Sequence, residues 1–278
     1  MLEINNDAIF IADSHTQNGR DALLFILDKI TKNATPSQIF LLGDIANILV
    51  GNLKSSLKAN ENLLKTLESL SQKTQIFYFE GNHDFNLNAI LPRIATIPRK
   101  NQPLIARFDS KRILLAHGDI FLNKSYEIYI KILTANITGK VLKMLDFVTF
   151  GRLYRFIESK VQNKRIKIAE NHAIHEIVKH RIAKYQSHIN KLNMCVDMVI
   201  EGHFHLGEII TPDNARFFAF DSANSAGNGR KTISDSAILD SDMCEKVVEK
   251  CKFFYIAMPS FYHAGSLFRI KECEFVKI

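Results

Sequence analysis

Five short apolar runs in this chain stop in the same manner. IFIADSH (9–15), IFLLGD (39–44), YFEGNHDF (78–85), ILLAHGD (113–119) and MVIEGHFH (198–205) are each rich in Ile, Leu, Val and Phe and end on Asp, Asn or His, in most cases beside glycine. Runs of this length bounded by glycine read as buried strands. Segments of helical period separate several of them, Ala22 to Ile30 and Leu57 to Leu70 among them, so the layout is α/β. Folds of this class put ligand sites just past the ends of buried strands at one edge of a sheet. A turn alone would account for Gly81, Asn82, His83 and Asp84. It would not account for the same grammar at five strand ends, which would converge on one place.

The 278 residues, 46% of them apolar, suffice for a large core and fit one elaborated domain or a domain with an insert. Met1 to Asn6 lead straight into the first strand with no apolar leader. No apolar run approaches the roughly 20 residues a bilayer span needs. The expected location is the cytoplasm. Cys195, Cys244, Cys251 and Cys273 form no CxxC pair and lie outside the strand-end motifs, which reads as reduced thiols.

The net charge of +7 is unevenly spread. Residues 123–191 hold 14 Lys or Arg and 5 Asp or Glu, a net of +9, while the rest of the chain holds 22 basic and 24 acidic residues, a net of −2. From Tyr126 to Leu192 there is no proline, and Val141, Leu142, Leu145, Val148 and Phe156 return at helical spacing. The segment predicts two to four helices inserted between the fourth and fifth motifs. The expected organisation is a core of residues 1–122 and 193–278 with a basic helical cap, or lid, over 123–192. Residues 221–236, small, polar and containing glycine, read as a surface loop.

Asp13, His15, Asp44, Asn82, His117, His203 and His205 are the strand-end side chains able to bind metal. A set of carboxylate, amide and imidazole without thiolate suits manganese, iron or zinc and argues against a cysteine-based structural zinc site. Seven ligands exceed what one tetrahedral ion takes and fit two ions that share a carboxylate. A two-metal site activates water and clamps both ends of a phosphoryl displacement.

The order D-x-H, GD, GNHD, H-G and G-H-x-H, from Asp13 to His205, resembles the calcineurin-like metallophosphoesterase superfamily. The resemblance implies a four-layer α/β sandwich of two mixed sheets flanked by helices, two divalent ions, and hydrolysis by a metal-activated water. It assigns Asp13, His15, Asp44 and His205 to one ion and Asp44, Asn82, His117 and His203 to the other, with Asp44 as the bridge. Manganese is the expected metal, with iron and zinc as alternatives. His83, outside the ligand set, would stabilise the transition state or protonate the leaving group, and Asp84 would orient it.

The motif GDIANIL and the Asp of GNHD depart from the protein phosphatase branch. HGDIF (117–121), the basic helical insertion, GHFH and FYHAGS (261–266) are similar to UDP-2,3-diacylglucosamine pyrophosphatase of the lipid A pathway. That resemblance implies cleavage of a UDP-linked lipid to UMP and 2,3-diacylglucosamine 1-phosphate at the inner face of the cytoplasmic membrane, with peripheral attachment through the cap. Tyr126, Asn163, Lys164, Arg165, Lys167 and His263 are its candidate substrate-binding residues. The same core acting on a soluble nucleotide, cyclic nucleotide or nucleic-acid phosphodiester is the alternative. Tyr129, Tyr154 and Phe156 at helical spacing among aliphatic neighbours favour a core or an acyl pocket over a base-stacking platform. A non-catalytic scaffold would have shed ligands, and all seven are present along with His83.

Overall fold

The computed structural model describes residues 1–16, 22–32, 35–162, 171–205, 208–211, 214–219, 253–265, 267–271 and 274–277. In chain order the strands are β1 (Leu2–Glu3), β2 (Ile9–Ile11), β3 (Gln38–Leu41), β4 (Leu49–Val50), β5 (Gln75–Phe79), β6 (Asp84–Phe85), β7 (Ala95–Ile97), β8 (Leu104–Phe108), β9 (Lys111–Ala116), β10 (Met198–Glu201), β11 (Glu208–Thr211), β12 (Asn214–Ala219), β13 (Phe254–Ala257), β14 (Phe268–Lys271) and β15 (Glu274–Lys277). The helices are α1 (Ala22–Lys32), α2 (Lys54–Ala59), α3 (Glu61–Leu70), α4 (Lys124–Leu133), α5 (Asn136–Val148), α6 (Arg152–Gln162), α7 (Asn171–Leu192) and the single turn α8 (Phe261–Ala264).

The strands are apolar on both faces, and the period of two sorts their side chains into separate layers. Phe10, Phe40, Phe77 and Phe79 point to one side of a six-stranded sheet ordered β15-β14-β2-β3-β5-β7. They meet Ala106, Ile113, Leu115, Met198 and Ile200 of a seven-stranded sheet ordered β1-β8-β9-β10-β13-β11-β12. Parallel register puts Phe10 opposite Phe40 and Phe40 opposite Phe77, and the rings stack at 4.8 Å in both pairs. Truncating fully buried Phe40 to alanine would cost about 3–5 kcal/mol. The alternate residues Ile9, Ile11, Ile39, Leu41 and Ile76 face outward and are covered by Leu23 and Leu27 of α1 and Leu63, Leu67 and Leu70 of α3.

On the far side, Leu114, Val199, Tyr255 and Ala257 are covered by Ile174, Val178, Tyr185 and Ile189 of α7. The result is the four-layer α/β sandwich expected, two mixed sheets between helical layers. One boundary changes. The grouping of residues 123–192 as a single cap is corrected by α7, which forms the outer layer of the seven-stranded sheet because its apolar stripe packs on Val199 and Tyr255. The segment that stands apart is α4 to α6. It rests on the core through Tyr154, which packs with Val50, Leu53 and Phe85 and donates to the carbonyl of Ile48 at 3.1 Å. Asn52 adds a hydrogen bond to the Gly139 carbonyl at 2.7 Å. Residues 221–236 lie outside the described residues.

Candidate metal centre

Strands β2, β3 and β5 are parallel neighbours in one sheet, and β9 and β10 in the other, so the carboxyl ends of all five open on one side. Past these ends the backbone turns sharply. Asp13, His15, Asp44, His203 and His205 hold φ of 50°, 44°, 51°, 69° and 55°, the left-handed region that side-chain-bearing residues rarely occupy. Such conformations cost on the order of 1 kcal/mol each and persist where their surroundings impose them. Here continued pairing between the loops imposes them: Asp13 N–H donates to the Gly43 carbonyl at 3.1 Å and His15 N–H to the Asp44 carbonyl at 3.0 Å.

Three sets of ligating atoms lie within 4.8 Å of one another: Asp13, His15 and His205; His15, Asp44 and His83; and Asp44, His117 and His203. Asp44 belongs to two of the sets. His117 Nε2 stands 3.5 Å from Asp44 Oδ2 and 3.3 Å from Asn82 Oδ1, which brings the amide into the same cluster. Asp13 Oδ1 lies 3.4 Å from His205 Nε2, while Asp13 Oδ2 accepts from the His203 N–H at 2.8 Å. All seven strand-end side chains named from the sequence therefore share one site.

Close approach at the site is bounded by glycine. A methyl on Gly81 would fall 2.3 Å from Asp44 Oδ1, and one on Gly43 would fall 2.4 Å from His117 Nδ1.

The donors suit divalent cations. His15 is buried, yet neither of its ring nitrogens has a hydrogen-bond partner among the described residues, a cost of about 1–3 kcal/mol that a bound cation would remove. Burial pulls the His15 imidazole down to about 4 and the His203 imidazole to about 3, so both are neutral and able to ligate. Burial would raise the Asp44 carboxyl, but His117 and His83 outweigh it and hold it well below the usual range. The carbonyl of Leu42 lies 2.9 Å from His117 Nδ1 and can only accept. That holds a proton on Nδ1 and turns Nε2 to the cluster, as backbone partners of metal-binding histidines do.

His83 sits at the rim, partly exposed, with its Nδ1 2.7 Å from the Asn47 carbonyl. Its partner is thus Asn47, and the expectation that Asp84 orients it is corrected. Asp84 is fully buried and its two oxygens accept from the N–H groups of Asp44, Ile45 and Gly81 and from the Tyr78 hydroxyl, at 2.7 to 3.0 Å. It ties the second motif to the third and has no capacity left for an imidazole.

Tyr126 opens α4, capped by the Asn123 side chain, and its hydroxyl points to Asp119 Oδ2 at 3.3 Å. Asn163, Lys164, Arg165 and Lys167 lie outside the described residues, as does the side chain of His263, whose backbone belongs to α8. Sequence reading missed Asn47, Asp119 and Glu201. Asp119 and Glu201 sit within HGD and IEGHFH, and a carboxylate ending an apolar run was the available signal. Asn47 acts through its backbone, which no side-chain pattern reports.

A family model of the calcineurin-like phosphoesterases matches residues 8–207. Among curated proteins, none matches this chain. Among solved structures, the Pseudomonas putida nuclease MPE is 19% identical over 43% of this chain and 57% of its own, with a TM-score of 0.30. A conserved Streptococcus pneumoniae protein described as a predicted phosphoesterase is 11% identical over 96% of this chain and 84% of its own, with a TM-score of 0.35. The E. coli phosphoesterase Yfce is 19% identical over 40% and 57%, with a TM-score of 0.29. The chain thus spans little more than half the length of the nuclease and of Yfce. With the family model covering most of the chain, and five strand ends bearing its motifs, the protein belongs to the calcineurin-like phosphoesterases.

Proposed function

We propose that this phosphoesterase cleaves a phosphate ester carried by an amphiphile lodged in an anionic membrane, with UDP-2,3-diacylglucosamine as the specific candidate. The observation behind this reading is the exterior of α4 to α6. Ile128, Tyr129, Ile132, Ile137, Met144, Phe147, Val148, Phe150 and Phe156 are all more than half exposed. Lys124, Lys131, Lys140, Lys143, Arg152, Arg155 and Lys160 are exposed among them. No acidic side chain in that segment is exposed, for Glu127 is paired with Arg99, Asp146 accepts from the Ser55 N–H, and Glu158 contacts the Tyr154 hydroxyl.

A surface that is apolar and cationic with its acids turned inward suits anionic headgroups and acyl chains, at about 1 kcal/mol per basic residue near such a membrane. It disfavours a nucleic-acid substrate, for which bare aromatic and aliphatic groups of this extent have no use. The cap stands beside the site: Tyr154 rests on Phe85, two residues past His83, and α4 is joined to the loop after His117 by Arg99.

In this reading Asp13, His15, Asp44 and His205 hold one divalent cation and Asp44, Asn82, His117 and His203 the other, with manganese first among the alternatives. Bound cations supply Lewis acidity for the phosphate and lower the pKa of water. His83, its Nδ1–H fixed on Asn47, offers Nε2 to the phosphoryl oxygens or the leaving group. Tyr126 and the basic residues of 163–167 would face the substrate. The test compares hydrolysis of a generic aryl phosphodiester with that of UDP-2,3-diacylglucosamine in mixed micelles. The expected result is efficient release of UMP, reduced at least tenfold by Phe147→Ser with Phe150→Ser while the aryl activity is kept. Absence of lipid cleavage in the unsubstituted protein would favour the soluble-substrate alternative.

A further inference from the structure

Behind the metal centre lies a buried ionic group to which the motifs assign nothing. Arg181, in the middle of α7, has no exposed surface. Its Nε and Nη2 donate to the two oxygens of Glu201 at 2.8 and 2.6 Å, and its Nη1 donates to the Ile120 carbonyl at 2.5 Å. The guanidinium also lies 5.1 Å from the ring of Phe204. Glu201 accepts in addition from the Tyr185 hydroxyl at 2.6 Å and from the Tyr255 hydroxyl, so all four of its lone-pair directions are used.

The partners of this fork are informative. Ile120 follows His117, Gly118 and Asp119, Glu201 precedes Gly202 and His203, and Phe204 separates His203 from His205. A methyl on Gly118 would come within 3.3 Å of Glu201 Oε2, so the carboxylate lies directly beneath the first of these loops. On the front the loops are stitched by the Gly202 N–H and the His117 carbonyl at 2.7 Å. Behind, one guanidinium reaches both.

We infer that Arg181 is a positioning residue for the metal centre, setting the spacing between the loop that bears His117 and the loop that bears His203 and His205. Docking α7 does not require it, since apolar pairs of similar volume replace buried ion pairs with little loss of stability, and Ile174, Val178 and Ile189 already hold the helix. An apolar pair cannot fix a carbonyl and a carboxylate at set angles. Partners bonded directly to metal ligands change metal affinity by about 10–100-fold when removed, and Arg181 acts one step behind them, through the loops that carry the ligands.

The inference rests on the two-cation reading of the site, and the experiment separates the two. Mn(II) binding is measured by calorimetry, and the Mn(II) spectrum by electron paramagnetic resonance, for the unsubstituted chain and for Arg181→Lys, which keeps a charge opposite Glu201 but lacks the fork. A second variant, Arg181→Met with Glu201→Gln, removes the ion pair while leaving an acceptor for one tyrosine and an amide donor for the other. The expected result is Mn(II) affinity at least tenfold weaker in both variants with an altered spectrum, and metal-free unfolding midpoints within a few degrees of the unsubstituted chain. Unchanged Mn(II) affinity with a lowered midpoint, or failure of both variants to fold, would make Arg181 a structural residue and overturn the inference. No Mn(II) binding by the unsubstituted chain would instead sink the two-cation reading itself, and the inference with it.

Discussion

The ring of His83 is held by the backbone of Asn47, a residue 36 positions earlier, through an Nδ1–H that the carbonyl accepts at 2.7 Å. This bond leaves Nε2 as the ring's free nitrogen, in a side chain with a ligating atom within 4.8 Å of those of His15 and Asp44. His83→Ala is expected to keep its metal content while kcat falls by about 10²–10⁴, the usual contribution of a proton-transferring group. Elemental analysis beside steady-state kinetics decides it, and loss of metal would make His83 a ligand.

Asp44, like His15, belongs to two of the three ligating sets, and it links His15 to the set of His117 and His203. Its replacement by alanine should therefore abolish occupancy of both positions, whereas Asn82→Ala should weaken one. Metal content after dialysis distinguishes the two outcomes. Equal, partial losses would contradict the shared position.

Asp84 accepts four hydrogen bonds in a fully buried setting. Asp84→Asn turns one oxygen into a donor facing donors, and should cost about 3 kcal/mol of stability. Tyr78→Phe, which removes one donor, should cost about 1 kcal/mol. Denaturant unfolding measures both. A stable Asp84→Asn with normal metal content and no activity would restore Asp84 to a direct role beside His83.

Arg99 joins the core to α4, donating to Asp119 at 2.6 Å and to Glu127 at 2.8 and 2.9 Å. Its hydrogen bond holds the Glu127 carboxyl below the usual range. A depressed carboxyl stabilises above its unfolded value, near 4.5, and that contribution fades as pH falls through the folded value. Glu127→Gln should thus lower the unfolding midpoint by a few degrees at pH 7, with the gap closing as pH falls below 4.5 and through the folded value. A gap independent of pH would mean that packing alone, and not the ion pair, holds α4.

The cap should bind membranes by itself. Vesicles containing phosphatidylglycerol are expected to sediment the protein and neutral vesicles to do so weakly. Phe147→Ser with Phe150→Ser should reduce sedimentation on both, and raised salt should act on the anionic vesicles only. Equal binding to both vesicle types would remove charge from the explanation.

How far these features could be read in the sequence follows from their physical kind. Asp13, His15, Asp44, Asn82, His117, His203 and His205 were legible because each ends a buried strand, where a polar residue has few bland explanations. The Phe10, Phe40 and Phe77 stack was implicit in the period of two. The role of α7 was hidden, since a basic amphipathic helix looks alike whether its apolar stripe meets a lid or a sheet. The outward apolar face of α4 to α6 was hidden for the same reason: Val141, Val148 and Phe156 carry helical periodicity but not its direction. Asp84 was misassigned because adjacency to His83 in sequence suggested contact, whereas consecutive residues past a strand end point to different sides.

The most direct test of a two-cation phosphoesterase is titration of metal-stripped protein with Mn(II), with hydrolysis of an aryl phosphodiester followed in the same samples. Two equivalents are expected to bind per chain, with activity emerging only as the second is taken up, and with neither binding nor activity in Asp44→Ala. Full activity without a divalent cation, or saturation of both binding and activity at one equivalent, would contradict it.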